Sequence, residues 1–408
     1  MKAIRIQLFS LVVVFCSLMT GVKAQKKYNF DTDKTEELRV RDGLPNFFKK
    51  LKAGKDVKVG YIGGSITNGG LWRTKTLDWL KSEYPKANIT QVNAAIGGTA
   101  PDYGACRIND HLLVHNPDIV FIEYRVNNGG AFKGAALEGL IAQAWKNNPN
   151  TEICIVYTIS KGMIDDIKQG NQTTAGKYME PVANHYGVTS VEFGLEVVKL
   201  LNKGKLAFQK KDADSKGKII FSNDGTHPVE AGHDIYRDVL VRSLKKIENV
   251  GKTGPNVIPE LLHNNAFSKA SLVSISDAKF SSDWKDVDLS DEGIDIHKDL
   301  TDKNGGVKTL FEKAKKTSKV GASFSVEWDG FMLGLTSILE KKGAIQVEVT
   351  TDGGKPQLFD LKSRNGKTQS KYIFLKEIKK GHHKTTVKLV KLASGKVFQV
   401  GQFLVVNN

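Results

Sequence analysis

Two patterns of apolar residues divide this chain. From about residue 45 to 250, short β-branched runs alternate with stretches whose apolar positions recur at helical spacing. The runs predict strands over 57–62, 90–94, 119–124, 153–158 and 189–192. The intervening stretches predict helices over 72–84, 103–115, 135–146, 174–186 and 228–247. Strands apolar on both faces and separated by helices form a parallel sheet covered on both sides, and such sheets bind ligands at the carboxyl ends of their strands.

Past Gly251-Lys252-Thr253-Gly254-Pro255 the period becomes two. Phe324, Val326 and Trp328, then Ile345, Val347 and Val349, then Thr385, Val387 and Leu389, then Phe398 and Val400 alternate with polar residues. Glycine turns such as Asp352-Gly353-Gly354 and Asn365-Gly366 separate them. This predicts an antiparallel β-sandwich over 255–408, following an α/β domain over 25–250. A chain of 408 residues is also too long for one ordinary core.

The first 24 residues belong to neither pattern. Lys2 and Arg5 precede an apolar stretch from Leu8 to Met19, and Val22-Lys23-Ala24 fits a small-x-small cleavage site. This is the arrangement of a cleavable signal peptide, and the stretch is too short to favour a membrane span. Cys16 lacks the approach of a lipidated cysteine, so the expectation is a secreted or periplasmic protein with no stable membrane insertion after cleavage. Removal of the segment lowers the formal charge of +16 by three, which leaves a basic protein whose lysines are interleaved with acids. No zinc-finger spacing, RNP pattern or basic helix points to nucleic acid. Cys106 and Cys154 fall in a predicted helix and an apolar strand, so buried thiols are expected, and one pair would not make a disulfide framework.

Candidate chemistry lies at the edges of the predicted strands. The first runs into Gly63-Gly64-Ser65, where two glycines permit the tight path that lifts a serine above the sheet. Far downstream stands Asp224-Gly225-Thr226-His227-Pro228. A serine hydroxyl becomes a nucleophile when an imidazole takes its proton and a carboxylate orients that imidazole, which assigns Ser65, His227 and Asp224 to those roles. Taken singly, Gly-Gly-Ser is a turn with Ser65 as a helix cap, and the Asp-Gly-Thr-His-Pro stretch is a turn before a helix.

Four blocks in order, over about residues 45 to 250, resemble the SGNH hydrolases, the superfamily of GDSL-type esterases and lipases. They are Gly63-Gly64-Ser65-Ile66-Thr67; Asn93-Ala94-Ala95-Ile96-Gly97-Gly98-Thr99 running on to Gly104 and Arg107; Glu123-Tyr124-Arg125-Val126-Asn127-Asn128; and Asp224 to His227. The resemblance implies a flavodoxin-like three-layer α/β/α fold. It also implies an oxyanion hole formed by the Ser65 and Gly98 N–H groups with the Asn127 amide. No cofactor and no metal is implied. Two positions depart from the family pattern: Asn128 replaces a usual aspartate, and Arg125 replaces a small residue. Arg125 has two readings, a substrate-binding guanidinium for an acidic sugar or a salt bridge to Glu123 or Asp224.

The acidic run from Asp283 to Asp302 lacks calcium-loop spacing and reads as a charged loop. The remaining histidines share no spacing. The reading that results is an exported serine esterase acting on an acylated glycan and removing acetyl or another short acyl group. Its rivals are a lipid esterase, an acyltransferase or a glycoside-cleaving enzyme on the same scaffold, and a catalytically weak glycan-binding protein.

Overall fold

A computed structural model of the chain describes residues 28, 30–127, 131–288, 310–311 and 313–408. Its first half is a six-stranded sheet of β1 (Leu38–Arg39), β2 (Val57–Gly63), β3 (Ile89–Asn93), β4 (Ile119–Glu123), β5 (Glu152–Tyr157) and β6 (Thr189–Glu192). The spatial order is β1-β6-β5-β4-β2-β3, with β2 to β6 parallel and β1 antiparallel at one edge. The central strands β4 and β5 are buried at every position, which is why their sequences are continuously apolar rather than alternating.

Helices Leu71–Glu83 and Glu230–Ile247 cover one face, burying Trp72, Leu80, Tyr236 and Leu240 against Val59, Phe121 and Val156. Helices Pro101–His111, Ala135–Asn147 and Thr174–Tyr186 cover the other. The expected helix over 103–115 is interrupted. It stops at His111, and a separate 3-10 turn, Leu113–His115, ends on Asn116 in the left-handed region (φ 51). Elements absent from the sequence reading are β1, the helices Pro45–Lys52 and Gly194–Asn202, and a parallel pair of short strands, Leu206–Gln209 and Ile219–Ser222.

The second half is an antiparallel sandwich. One sheet is ordered Lys279–Phe280, Ser323–Gly330, Gly381–Leu392, Ile345–Thr351, Gln357–Asp360. The other is ordered Lys285–Asp286, Lys315–Thr317, Phe398–Val406, Met332–Leu339, Gln369–Phe374, with Ser271–Val273 also pairing to Phe398–Val406. Phe324, Val326, Trp328, Val347, Leu389 and Phe403 fill the space between them.

The outer face of the second sheet is itself buried against the α/β half. Met332, Leu404 and Val406 join Tyr103, Ala105, Leu137 and Leu140 in one apolar cluster, so the helix Pro101–His111 is covered on both sides. The connecting chain is fastened as well. The Leu262 N–H donates to Glu138 (2.7 Å), the Asn256 N–H to the Pro149 carbonyl (2.7 Å), and Gln143 Nε2 to the Phe267 carbonyl (2.7 Å). Sandwich and α/β layers thus share a core instead of meeting across a wet boundary.

Candidate active site

Strand β2 ends in the turn that presents Ser65. A Cβ on Gly63 would stand 2.5 Å from the Glu123 carbonyl oxygen, and one on Gly64 would overlap the Asn127 amide, so both positions need glycine. Ser65 then opens the short helix Ser65–Asn68, whose Asn68 N–H donates to the Gly64 carbonyl (2.9 Å). Beneath the turn the buried Glu123 carboxylate accepts from the hydroxyls of Thr67 (2.9 Å) and Thr158 (2.6 Å). Burial raises the Glu123 carboxyl above its ordinary range, and these hydroxyls oppose the shift.

The second part of the site arrives on the short strand Ile219–Ser222. The segment after it is folded tightly: Asp224 Oδ1 accepts the N–H groups of Thr226 and His227 (both 2.8 Å), and the Lys161 N–H donates to the Gly225 carbonyl (2.8 Å). Asp224 Oδ2 lies 2.6 Å from His227 Nδ1, and His227 Nε2 lies 2.7 Å from Ser65 Oγ. An ionised carboxylate only accepts, so the proton between Asp224 and His227 belongs to Nδ1 and the Nε2 lone pair faces the serine hydroxyl. Burial opposes ionisation of Asp224, but the His227 ring and the two backbone N–H groups win and hold its carboxyl well below the usual range. The His227 and Asp224 side chains are 50% and 56% exposed, so the arrangement faces an open surface.

Gly98 lies in the loop that follows β3. It has φ +68, in the left-handed region that favours glycine, and its neighbour Gly97 would carry a Cβ only 3.5 Å from Ser65 Cβ. The loop is tied to the sheet by the Ile96 N–H on the Gly63 carbonyl (3.0 Å) and by Arg107 Nη1 on the Ala94 carbonyl (2.6 Å). Gly104 gives room to the Tyr124 hydroxyl, which would stand 2.5 Å from a Cβ there. Asn127 sits on the 3-10 turn Arg125–Asn127 beyond β4, with its buried Oδ1 against Gly64 and, among the described residues, no hydrogen-bond partner for that atom. Ser65, His227, Asp224, Gly98 and Asn127 therefore converge at the carboxyl edge of the sheet. Asn128 lies outside the described residues.

Arg125 takes the second of its two readings, a buried salt bridge, with a different acid from those expected. It is fully buried, its guanidinium grips both oxygens of Glu192, its Nε donates to the Thr158 carbonyl (2.8 Å), and it lies over the Tyr157 ring. Its carboxylate partner is Glu192 and not Glu123 or Asp224. Although Arg125 follows β4 at the carboxyl edge of the sheet, its side chain turns inward to the acid at the end of β6. Cys106 and Cys154 are buried free thiols. Of the acidic run, Asp283 and Asp286 pair with Lys319 and Lys315, and its residues from 289 onward lie outside the described residues. Among the described residues no group of His, Cys, Asp and Glu is arranged to hold a metal, and no helix is long and apolar enough to cross a membrane.

Residues that sequence reasoning missed come from the sandwich. Lys371 Nζ donates to the Gly98 carbonyl (2.9 Å), and the Tyr372 hydroxyl donates to Asp102 (2.7 Å) while accepting the Ala100 N–H (3.1 Å). Nothing local in the sequence links positions 270 or 273 apart.

No family model and no curated protein matches the chain by sequence. Solved structures do match it by shape. A two-domain esterase (CEX) active on acetylated mannans superposes with a TM-score of 0.72 at 19% identity, covering 93% of this chain and 99% of that one. The same esterase co-crystallized with mannopentaose gives 0.70 at 20% identity, covering 88% and 93%. The chain thus has, over nearly its whole length, the two-domain fold of that esterase: an α/β/α layer structure followed by an antiparallel sandwich.

Proposed function

We propose that the protein is an exported serine esterase that removes acetyl or another short acyl group from a polysaccharide or oligosaccharide. The observation that carries this reading is the continuous hydrogen-bonded line Ser65 Oγ to His227 Nε2 to His227 Nδ1 to Asp224 Oδ2. In the proposed reaction Ser65 Oγ attacks the ester carbonyl carbon while His227 Nε2 takes its proton. Asp224 stabilises the imidazolium and fixes its tautomer. The carbonyl oxygen, now an anion, receives hydrogen bonds from the Ser65 and Gly98 N–H groups and the Asn127 amide, each worth about 2.7–4 kcal/mol of transition-state stabilisation. His227 then protonates the departing sugar oxygen, and the sugar leaves. Water, deprotonated by His227, attacks the acyl-serine, and collapse of that intermediate releases the acid and restores Ser65.

Two further observations support a glycan ester. The half-exposed His227 and Asp224 leave the site open to a bulky chain. The esterase sharing the fold acts on acetylated mannans, which makes an acetylated hemicellulose the first substrate to try. Export rests on the leader, with cleavage after Ala24. The test is Ser65→Ala with acetate release from acetylated mannan and from a small chromogenic acetyl ester. Turnover should fall by about three orders of magnitude or more in a folded protein, and a fluorophosphonate should label Ser65 in the unmodified enzyme. Unchanged turnover in the alanine variant removes the serine mechanism.

A further inference from the structure

The loop from Gly98 to Asp102 is held within its own half by Thr99 Oγ1 on the Ile96 carbonyl (2.8 Å), and the sandwich edge strand Gln369–Phe374 bonds it from the other domain. Three hydrogen bonds cross. Lys371 Nζ donates to the Gly98 carbonyl (2.9 Å), the Ala100 N–H donates to Tyr372 Oη (3.1 Å), and Tyr372 Oη donates to Asp102 Oδ1 (2.7 Å). Asp102 Oδ1 also accepts the Tyr103 N–H (2.7 Å), which ties the same atom to the first turn of the helix Pro101–His111. The Tyr372 ring stacks on Tyr103 at 4.7 Å and 15°.

We propose that Lys371 and Tyr372 are positioning residues for the esterase reaction, holding the Gly98 loop so that its N–H meets the oxyanion. The proposal rests on the serine-esterase reading above. Gly98 has φ +68 and no side chain, so nothing intrinsic fixes the peptide on either side of it. Lys371 fixes its carbonyl, and Tyr372 fixes the chain two residues on. The ammonium sits so close to Gly98 that a Cβ there would overlap it, which makes the lysine part of the packing of the loop as well as a charge.

The strand is suited to this work because it is an edge. Tyr372 and Phe374 face the apolar cluster shared with the α/β half, whereas Ile373 faces the sandwich's own core. By alternation Lys371 starts on the Ile373 side, and among the described residues no further strand pairs beyond this edge; its long stem carries the ammonium to the Gly98 carbonyl. Asp102 is 8% exposed, so losing the Tyr372 hydroxyl leaves a buried carboxyl and a backbone N–H without that partner.

The experiment compares Tyr372→Phe, Lys371→Met and Lys371→Arg in the full chain on a small acetyl ester. A loop displaced by a fraction of an ångström loses transition-state contacts and not ground-state binding. Tyr372→Phe and Lys371→Met should therefore lower kcat about 10- to 100-fold with KM within about twofold. Fluorophosphonate labelling of Ser65 should slow in parallel, and Lys371→Arg should recover most of the loss. Lys371 is partly exposed, so its variants are expected to fold even if Tyr372→Phe does not. A kcat within twofold of the unmodified enzyme in Lys371→Met, with or without a lower Tm, overturns the proposal. Ser65→Ala is run beside them: if it also keeps its turnover, the esterase reading fails, whereas loss in Ser65→Ala alone rejects only the positioning role.

Discussion

At the residue scale Ser65 and His227 are held by different means. Ser65 is fixed by the backbone, since two glycines and a helix start leave its Cα little freedom. His227 is fixed by Asp224, which grips both its ring and its own N–H. Those hydrogen bonds keep the Asp224 carboxyl ionised well below the usual carboxylate range, so Asp224 stays charged as pH falls through that range. The expected profile of kcat/KM therefore shows no ionisation belonging to Asp224 within the usual carboxylate range. Asp224→Asn removes the acceptor that selects the Nδ1 tautomer, so kcat should fall by up to about 10⁴-fold while far-ultraviolet circular dichroism stays unchanged. An ionisation in the usual carboxylate range that Asp224→Asn abolishes, or unchanged kinetics in Asp224→Asn, would break the assignment.

At the scale of elements, the carboxyl ends of β4 and β6 are joined below the site by Arg125 and Glu192. Both side chains are buried, so the pair acts on the sheet and not on a ligand. Arg125→Ala leaves Glu192 charged and unpaired in the core and should destabilise the fold by about 3–5 kcal/mol, read from urea unfolding. On whatever fraction remains folded, neutral and acidic acetyl esters should suffer equally. A loss confined to the acidic ester would restore a recognition role that the geometry does not support. Glu123 makes a similar tie one layer nearer the serine, through Thr67 and Thr158, so the edge of the sheet is braced by two buried acids in succession.

For the whole molecule, the shared apolar cluster governs cooperativity. A chain ended at Gly254 would expose Tyr103, Leu137 and their neighbours where Phe267, Met332, Leu404 and Val406 now lie. The full chain should therefore unfold in one calorimetric transition, and the truncated chain should bind a hydrophobic dye and lose activity; two separated transitions would contradict this. How much of this was legible beforehand depended on burial. Strands such as β2, β4 and β5 announced themselves because a strand covered on both faces by helices is a continuous apolar run, and Ser323–Gly330 did so because one face meets water. Met332–Leu339 and the second half of Phe398–Val406 gave no period-two signal, since one face packs on the sandwich core and the other on the α/β half. The four candidate blocks were readable because each is a short local motif and the four together, in order, carry the family resemblance. The direction of Arg125, the acid that meets it, and the reach of Lys371 and Tyr372 to the Gly98 loop were decided only by tertiary structure, because each depends on a partner brought from 67 to 273 positions away and no local pattern encodes which side of a strand that partner will occupy.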